Sequence, residues 1–133
     1  MPKVIRMPQN LGGARRRFIE EVFSHYRAAG RPTLDAISGR IKARDDLAGT
    51  ASRETIRRVL SEGTVPQTWT TIEAILTVLC ELAGYKPTSL QWVDRPGSSQ
   101  LVKVTHKDHM RRLWNEAVDE PPPLPDPWDE PPF

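Results

Sequence analysis

An all-α fold, a compact bundle of about five helices followed by a proline-rich acidic tail, is what this sequence predicts. Apolar residues recur at three- and four-residue spacing in five separate stretches. Several of those stretches begin at Ser or Thr and end at Gly, the residues that cap helix starts and stops. Between residues 14 and 118 no convincing strand pattern stands out. Residues 1–13 read as an N-terminal arm, 14–118 as the helical domain and 119–133 as the tail.

The first helix is expected over "ARRRFIEEVFSHYRAAG", ending at Gly30. Phe18, Val22 and Tyr26 lie four apart there, with Ile19 and Phe23 beside them. A second helix starts past Pro32 with Thr33 as N-cap and carries Leu34, Ile37 and Ile41. "KARDDLAGTA" reads as a loop. The third helix opens at Ser52 and stops at Gly63, with Pro66 preventing continuation. In the fourth, Thr70 and Glu73 have capping-box spacing, followed by Ile72, Ile75, Leu76, Leu79 and Leu82 up to Gly84. "YKPTSLQWVDRPGSS" is expected to be a connector, with Trp92 packing back. A last helix spans roughly Leu101 to Val118, with an apolar stripe through Met110, Leu113, Trp114, Ala117 and Val118. That stripe suits either the core or a homodimer surface on the 101–118 helix.

Charge is unevenly shared. Residues 1–67 hold 13 Lys+Arg against 7 Asp+Glu; residues 68–133 hold 6 against 10. A basic front half suits a polyanionic partner, although solvated helix faces often carry as much charge. The tail holds seven of the thirteen prolines and no basic residue. Its composition predicts an extended, disordered segment. Trp128 and Phe133 in that acidic setting suit a protein partner's basic groove, or a fold-back onto the chain's own basic front half.

No apolar run is long enough for a membrane span, and "MPKVIRMPQN" lacks a secretory signal's apolar core, so no membrane partner and a cytoplasmic location are expected. The single cysteine, Cys80, cannot form an intrachain disulfide and reads as a small buried hydrophobe. His106 and His109 lie one helical turn apart, but no further ligands are evident, so no metal is expected. The sequence holds no phosphate loop, nucleophile elbow or metalloprotease helix, so neither enzymatic chemistry nor a cofactor is expected.

The stretch "TASRETIRRVLSEGTVPQTWTTIEAIL" resembles the helix-turn-helix of bacterial lambda-repressor-like, XRE-type DNA-binding proteins. The family's cap, core and turn roles fall on Ser52, Ile56, Val59 with Leu60, Gly63, Pro66 and Trp69. The resemblance covers about residues 14–84 and is strongest over 50–84. It implies a transcriptional regulator binding double-stranded DNA, with Ser52–Ser61 as the recognition helix. One departure stands out: ten residues, Lys42 to Ala51, lie between Ile41 and Ser52, where the motif has a turn of about three or four. Either the second helix runs longer than its apolar pattern, or the turn carries an insertion.

The residues themselves suit that role. Ile56, Val59 and Leu60 group on one side of a helix, with Glu54, Arg58 and Ser61 roughly opposite and Arg53 and Arg57 at the flank. With Ser52 at the cap, Ser52, Arg53, Glu54, Arg57 and Arg58 are the candidates to read bases. Arginine's planar fork matches guanine O6 and N7, and a carboxylate such as Glu54 can accept from cytosine N4. Thr68 and Thr70 at the next helix, and Arg15, Arg16 and Arg17 on the first, are candidates for phosphate contacts. The other reading of the same face is a solvated surface with i,i+4 charge pairs such as Glu54 to Arg58. A rival function on the same fold is a protein-interaction adaptor or antitoxin-like module, using its basic helix against an acidic protein surface or its Trp-containing tail.

Overall fold

The structure, a computed structural model, describes residues 5–8, 11–94 and 100–120. It contains five helices and a two-stranded antiparallel sheet: α1 (Gly13–Ala28), α2 (Leu34–Lys42), α3 (Arg53–Arg57), α4 (Trp69–Ala83), β1 (Leu90–Asp94), β2 (Leu101–Thr105) and α5 (His106–Asp119). The fold is therefore mixed α and β, and the all-α expectation is overturned by the hairpin. The tail lies outside the described residues.

The hairpin occupies what read as a connector and the start of the last helix. Leu90 pairs with Thr105, Trp92 with Lys103 and Val93 with Val102. Leu101–Thr105 alternates β-branched and polar residues, and extended backbone suits those side chains better than a helix does. The helix consequently starts only at His106, where the Thr105 hydroxyl accepts the Asp108 amide at 3.0 Å. Trp92 does not pack back: it is 61% exposed, with the Lys103 ammonium 5.1 Å from its ring centre.

Two of the expected caps are present. Thr33 accepts from the Ala36 amide at 3.0 Å, and Ser52 from the Thr55 amide at 3.1 Å. The capping box on α4 is not formed. The helix begins two residues earlier, behind Thr68, so Thr70 sits inside the first turn. Glu73 instead accepts the Trp69 indole N–H at 3.0 Å and lies 3.5 Å from the Lys107 ammonium. The start of α1 is capped from a distance: the Glu120 carboxylate accepts the Ala14 and Arg15 amides at 3.0 and 3.1 Å. Those bonds hold the Glu120 carboxyl below its usual range.

The core is one cluster built around α4. Ile72, Ile75, Leu76 and Leu79 meet Phe18, Ile19, Val22 and Phe23 of α1, Ile37 and Ile41 of α2, and Ile56, Val59 and Leu60 near α3. Met110, Leu113 and Ala117 of α5 are buried in the same cluster, and the Trp114 indole donates to the Pro66 carbonyl at 2.7 Å. The α5 stripe that suited either a core or a second copy is thus packed within this chain.

Candidate nucleic-acid interface

The recognition-helix candidate is short and changes pitch midway. After the five residues of α3, Arg58–Glu62 continue as a π-helix, whose hydrogen bonds span five residues instead of four. Ile56, Val59 and Leu60 stay almost fully buried through the change and seat the segment on the core. Gly63 ends it in a left-handed conformation, φ +70°, and an added Cβ there would meet the Leu11 side chain at 2.5 Å. The backbone conformation therefore calls for glycine at this position, and a larger residue would also have to displace the Leu11 side chain.

The polar face is held by carboxylates. Arg57 makes a fork on Glu54, with Nε to Oε2 at 3.0 Å and Nη2 to Oε1 at 2.7 Å. Its Nη2 also reaches Glu62 at 3.2 Å, the five-residue spacing that the π turn brings alongside. The Arg58 Nε donates to Glu54 at 3.3 Å, and the Arg53 Nε lies 2.9 Å from Asp35 at the start of α2. The Arg57 hydrogen bonds, with help from Arg58, pull the Glu54 carboxyl down to about 2. Ser52 spends its hydroxyl on the helix cap.

Beside this face runs a cleft of about 750 Å3. Arg53, Arg57 and Ser61 form one wall; Arg6, Tyr26 and Arg31 contribute to the rest. Arg31 is the one non-glycine with positive φ (+53°) among the described residues, directly after Gly30 at +84°. A side chain in that region is uncommon. Its guanidinium donates to the Ile5 carbonyl at 3.3 Å and ties residues of the N-terminal arm to the cleft.

The other predicted contacts do not converge on the cleft. Arg15, Arg16 and Arg17 are exposed on α1, where consecutive residues point about 100° apart, and Arg16 is paired with Glu20 at 2.8 Å. Thr68 is exposed at the start of α4. Thr70 lines a separate open cleft of about 590 Å3 with Lys42, Arg44 and Thr50.

The ten-residue spacing is a loop inserted between α2 and α3 and not a longer second helix, because α2 ends at Lys42. It is firmly seated. Arg44 grips Asp46 at 2.7 and 3.0 Å and Glu81 at 2.7 Å, Ala51 is buried, and an added Cβ on Gly49 would collide with the Thr70 carbonyl.

Sequence reasoning missed Arg6 and Arg31, and it missed the carboxylates Asp35 and Glu62 that hold the arginines. "AAGRPT", a cation between a glycine and a proline at a helix junction, is the local signal for Arg31. His106 and His109 are not exposed helix-start residues: both turn inward towards Glu21 and His25. Among the described residues no three His, Cys, Asp or Glu side chains are placed to hold a metal ion. No helix among them is long and apolar enough to cross a membrane.

Compared with family models, curated proteins and solved structures, the chain matches none, so the helix-turn-helix resemblance rests on the residues quoted for it.

Proposed function

We propose that this chain binds duplex DNA sequence-specifically, as a bacterial transcriptional regulator, with α3 and its π-helical continuation entering the major groove. The observation that carries the reading is the arginine face. Arg53, Arg57 and Arg58 stand on a Ser-capped helix whose opposite side is locked into the core, and two further arginines line the adjoining cleft. The carboxylate partners do not oppose this. Water screens exposed ion pairs, so exchanging Glu54 or Asp35 for a phosphate or a guanine edge costs little, while the pairing keeps the guanidinium groups ordered before contact. Action is by occupancy of a promoter, without a cofactor.

One observation favours a second reading, a protein-interaction adaptor or antitoxin-like module. Leu90, Trp92 and Leu101 are each about 60% exposed, with Leu90 and Trp92 on alternate β1 positions and Leu101 opposite Asp94 on that same face. Exposed apolar surface of this kind suits a protein partner.

Selection from a random duplex pool near physiological salt separates the two, with Arg57→Ala/Arg58→Ala as control. A consensus that the double variant fails to recover supports the regulator, and an inverted repeat adds a dimer. No enrichment by the wild-type chain removes independent operator recognition and leaves the adaptor.

A further inference from the structure

The chain's three histidines, His25, His106 and His109, gather around one carboxylate, Glu21. His25 Nε2 lies 3.3 Å from Glu21 Oε1, and His109 Nε2 lies 3.7 Å from Glu21 Oε2. The His106 ring bonds to the Gln91 side-chain carbonyl, and the amide of Gln91 donates to Glu21 at 3.3 Å. On its far side His25 Nδ1 meets the Tyr85 hydroxyl at 2.6 Å. The His25 and His106 rings are 5.0 Å apart, edge to face, and Tyr85 stacks 4.7 Å from His106.

These groups come from separate parts of the fold. Glu21 and His25 belong to α1, Tyr85 follows α4, Gln91 is on β1, and His106 and His109 open α5. His25 is almost fully buried, and the side chains of His109 and Glu21 are only 12% and 19% exposed. His109 Nδ1 is buried without a hydrogen-bond partner among the described residues, and His25 Nε2 faces Glu21 alone. The remaining titratable and charged neighbours are Arg112 and Glu116 of α5 facing His109, and Cys80 of α4 near Glu21; β1 supplies only the neutral Gln91.

We propose that this cluster is a proton-operated clasp: at neutral pH it fastens the β1–β2 hairpin and the start of α5 to α1, and protonation in mild acid releases them while the α1–α4 body stays folded. One carboxylate balances one imidazolium. A second proton puts two cations against a single Glu21, with Arg112 adding to the repulsion at His109. Burial lowers the proton affinity of His106 and His109, as the charged ring has lost its water. The hairpin is the element least able to resist. Val93 is its one buried side chain among the described residues, and a lone two-stranded sheet is marginal in water. The rest of the molecule is held instead by the core that runs through α1–α4 and takes in Met110, Leu113 and Ala117 of α5.

Amide exchange on the full chain between pH 7.5 and 4.5, corrected for intrinsic rates, tests the clasp. Protection of Leu90–Asp94 and Leu101–Thr105 is expected to be lost as the pH falls. Protection over Ile72–Leu79 is expected to persist. The imidazole resonances of His106 and His109, followed by NMR in the same wild-type samples, should titrate with the midpoint of that loss. In His106→Gln/His109→Gln the hairpin should no longer respond to acid. Protection that is flat across the range, loss shared equally by α4, or histidine midpoints that do not coincide with hairpin release would each overturn the proposal.

Discussion

Around α3 the arginines are partly or largely exposed, and each has a carboxylate within 3.3 Å; around Glu21 the titratable groups are buried and share one carboxylate among three imidazoles. The two constellations handle charge in opposite ways. The α3 face keeps its charges in water, where pairing is weak and partners exchange easily. The Glu21 cluster lies where solvent screens little, so its protonation states are tied to how the elements pack. An exposed paired surface suits reversible recognition of another polyanion, whereas a buried one suits holding elements together.

The largest way to break the comparison is to remove what seats α3. Ile56 is fully buried beneath it. Ile56→Ala should cost about 2–5 kcal/mol by urea unfolding, the range for emptying a core site. It should also abolish duplex selection, because the arginine face loses its support. Selection surviving intact with the stability loss would show that α3 does not present the reading face.

Next comes the division of labour within the basic residues. Arg58→Ala should relax preference at one base position by about 1–3 kcal/mol of discrimination. Arg15→Ala/Arg16→Ala/Arg17→Ala should weaken binding to all sequences alike and flatten the salt dependence, by about 0.9 in slope for each phosphate no longer neutralised. Indistinguishable behaviour of the two variants, in affinities measured across a salt series, would remove the assignment of separate base and phosphate roles.

A third test uses acid. His106 and His109 have folded pKa values below the unfolded one, so the unfolded chain binds more protons as pH drops through about 6.5. Their contribution to stability is therefore present at neutral pH and declines as pH falls below that point. Glu21 acts in the same direction further down. Burial pushes its carboxyl up, but His25, His109 and Gln91 more than offset this, so its contribution is lost as pH falls below about 4.5. Urea unfolding at pH 7.5, 6.5, 5.5 and 4.5 should show stability falling at each step; a maximum near pH 5 would contradict the buried cluster.

The same contrast explains what the sequence could and could not tell. Ser52, Thr33, Gly63 and Gly84 mark helix ends through local chemistry, and all four do so in the structure. The hairpin was legible too: "LQWVD" and "LVKVT" alternate, and the intervening "RPGSS" is rich in turn residues. The helical stripe of α5 masked it, because Val102 falls in line with Leu113 and Ala117 by helical spacing. The capping box failed because the helix already starts at Trp69, with Thr68 as its cap, and Glu73 accepts the Trp69 indole N–H. By contrast, Glu21, His25, Tyr85, Gln91, His106 and His109 are spread over nearly ninety positions, and no local pattern marks their convergence. Asp35 and Arg53 likewise meet only through the seated insertion between α2 and α3.

The smallest effect on stability should come from Glu54→Gln, and it sharpens the comparison most. Glu54 accepts from both Arg57 and Arg58 and stays ionised to about pH 2, so at neutral pH it always offsets part of the cationic face. As the pairs are exposed, the melting temperature should stay close to wild type, and the acid loss seen around Glu21 should be unchanged. Affinity for nonspecific duplex should rise, since the face gains net positive charge, and its salt dependence should steepen. Base selectivity should fall if Glu54 itself reads cytosine or orders the arginines, and hold if it is only a counter-ion. Titrating both proteins with one selected and one scrambled duplex distinguishes these outcomes. A variant that binds every duplex like wild type would mean that the α3 arginines do not meet DNA at all.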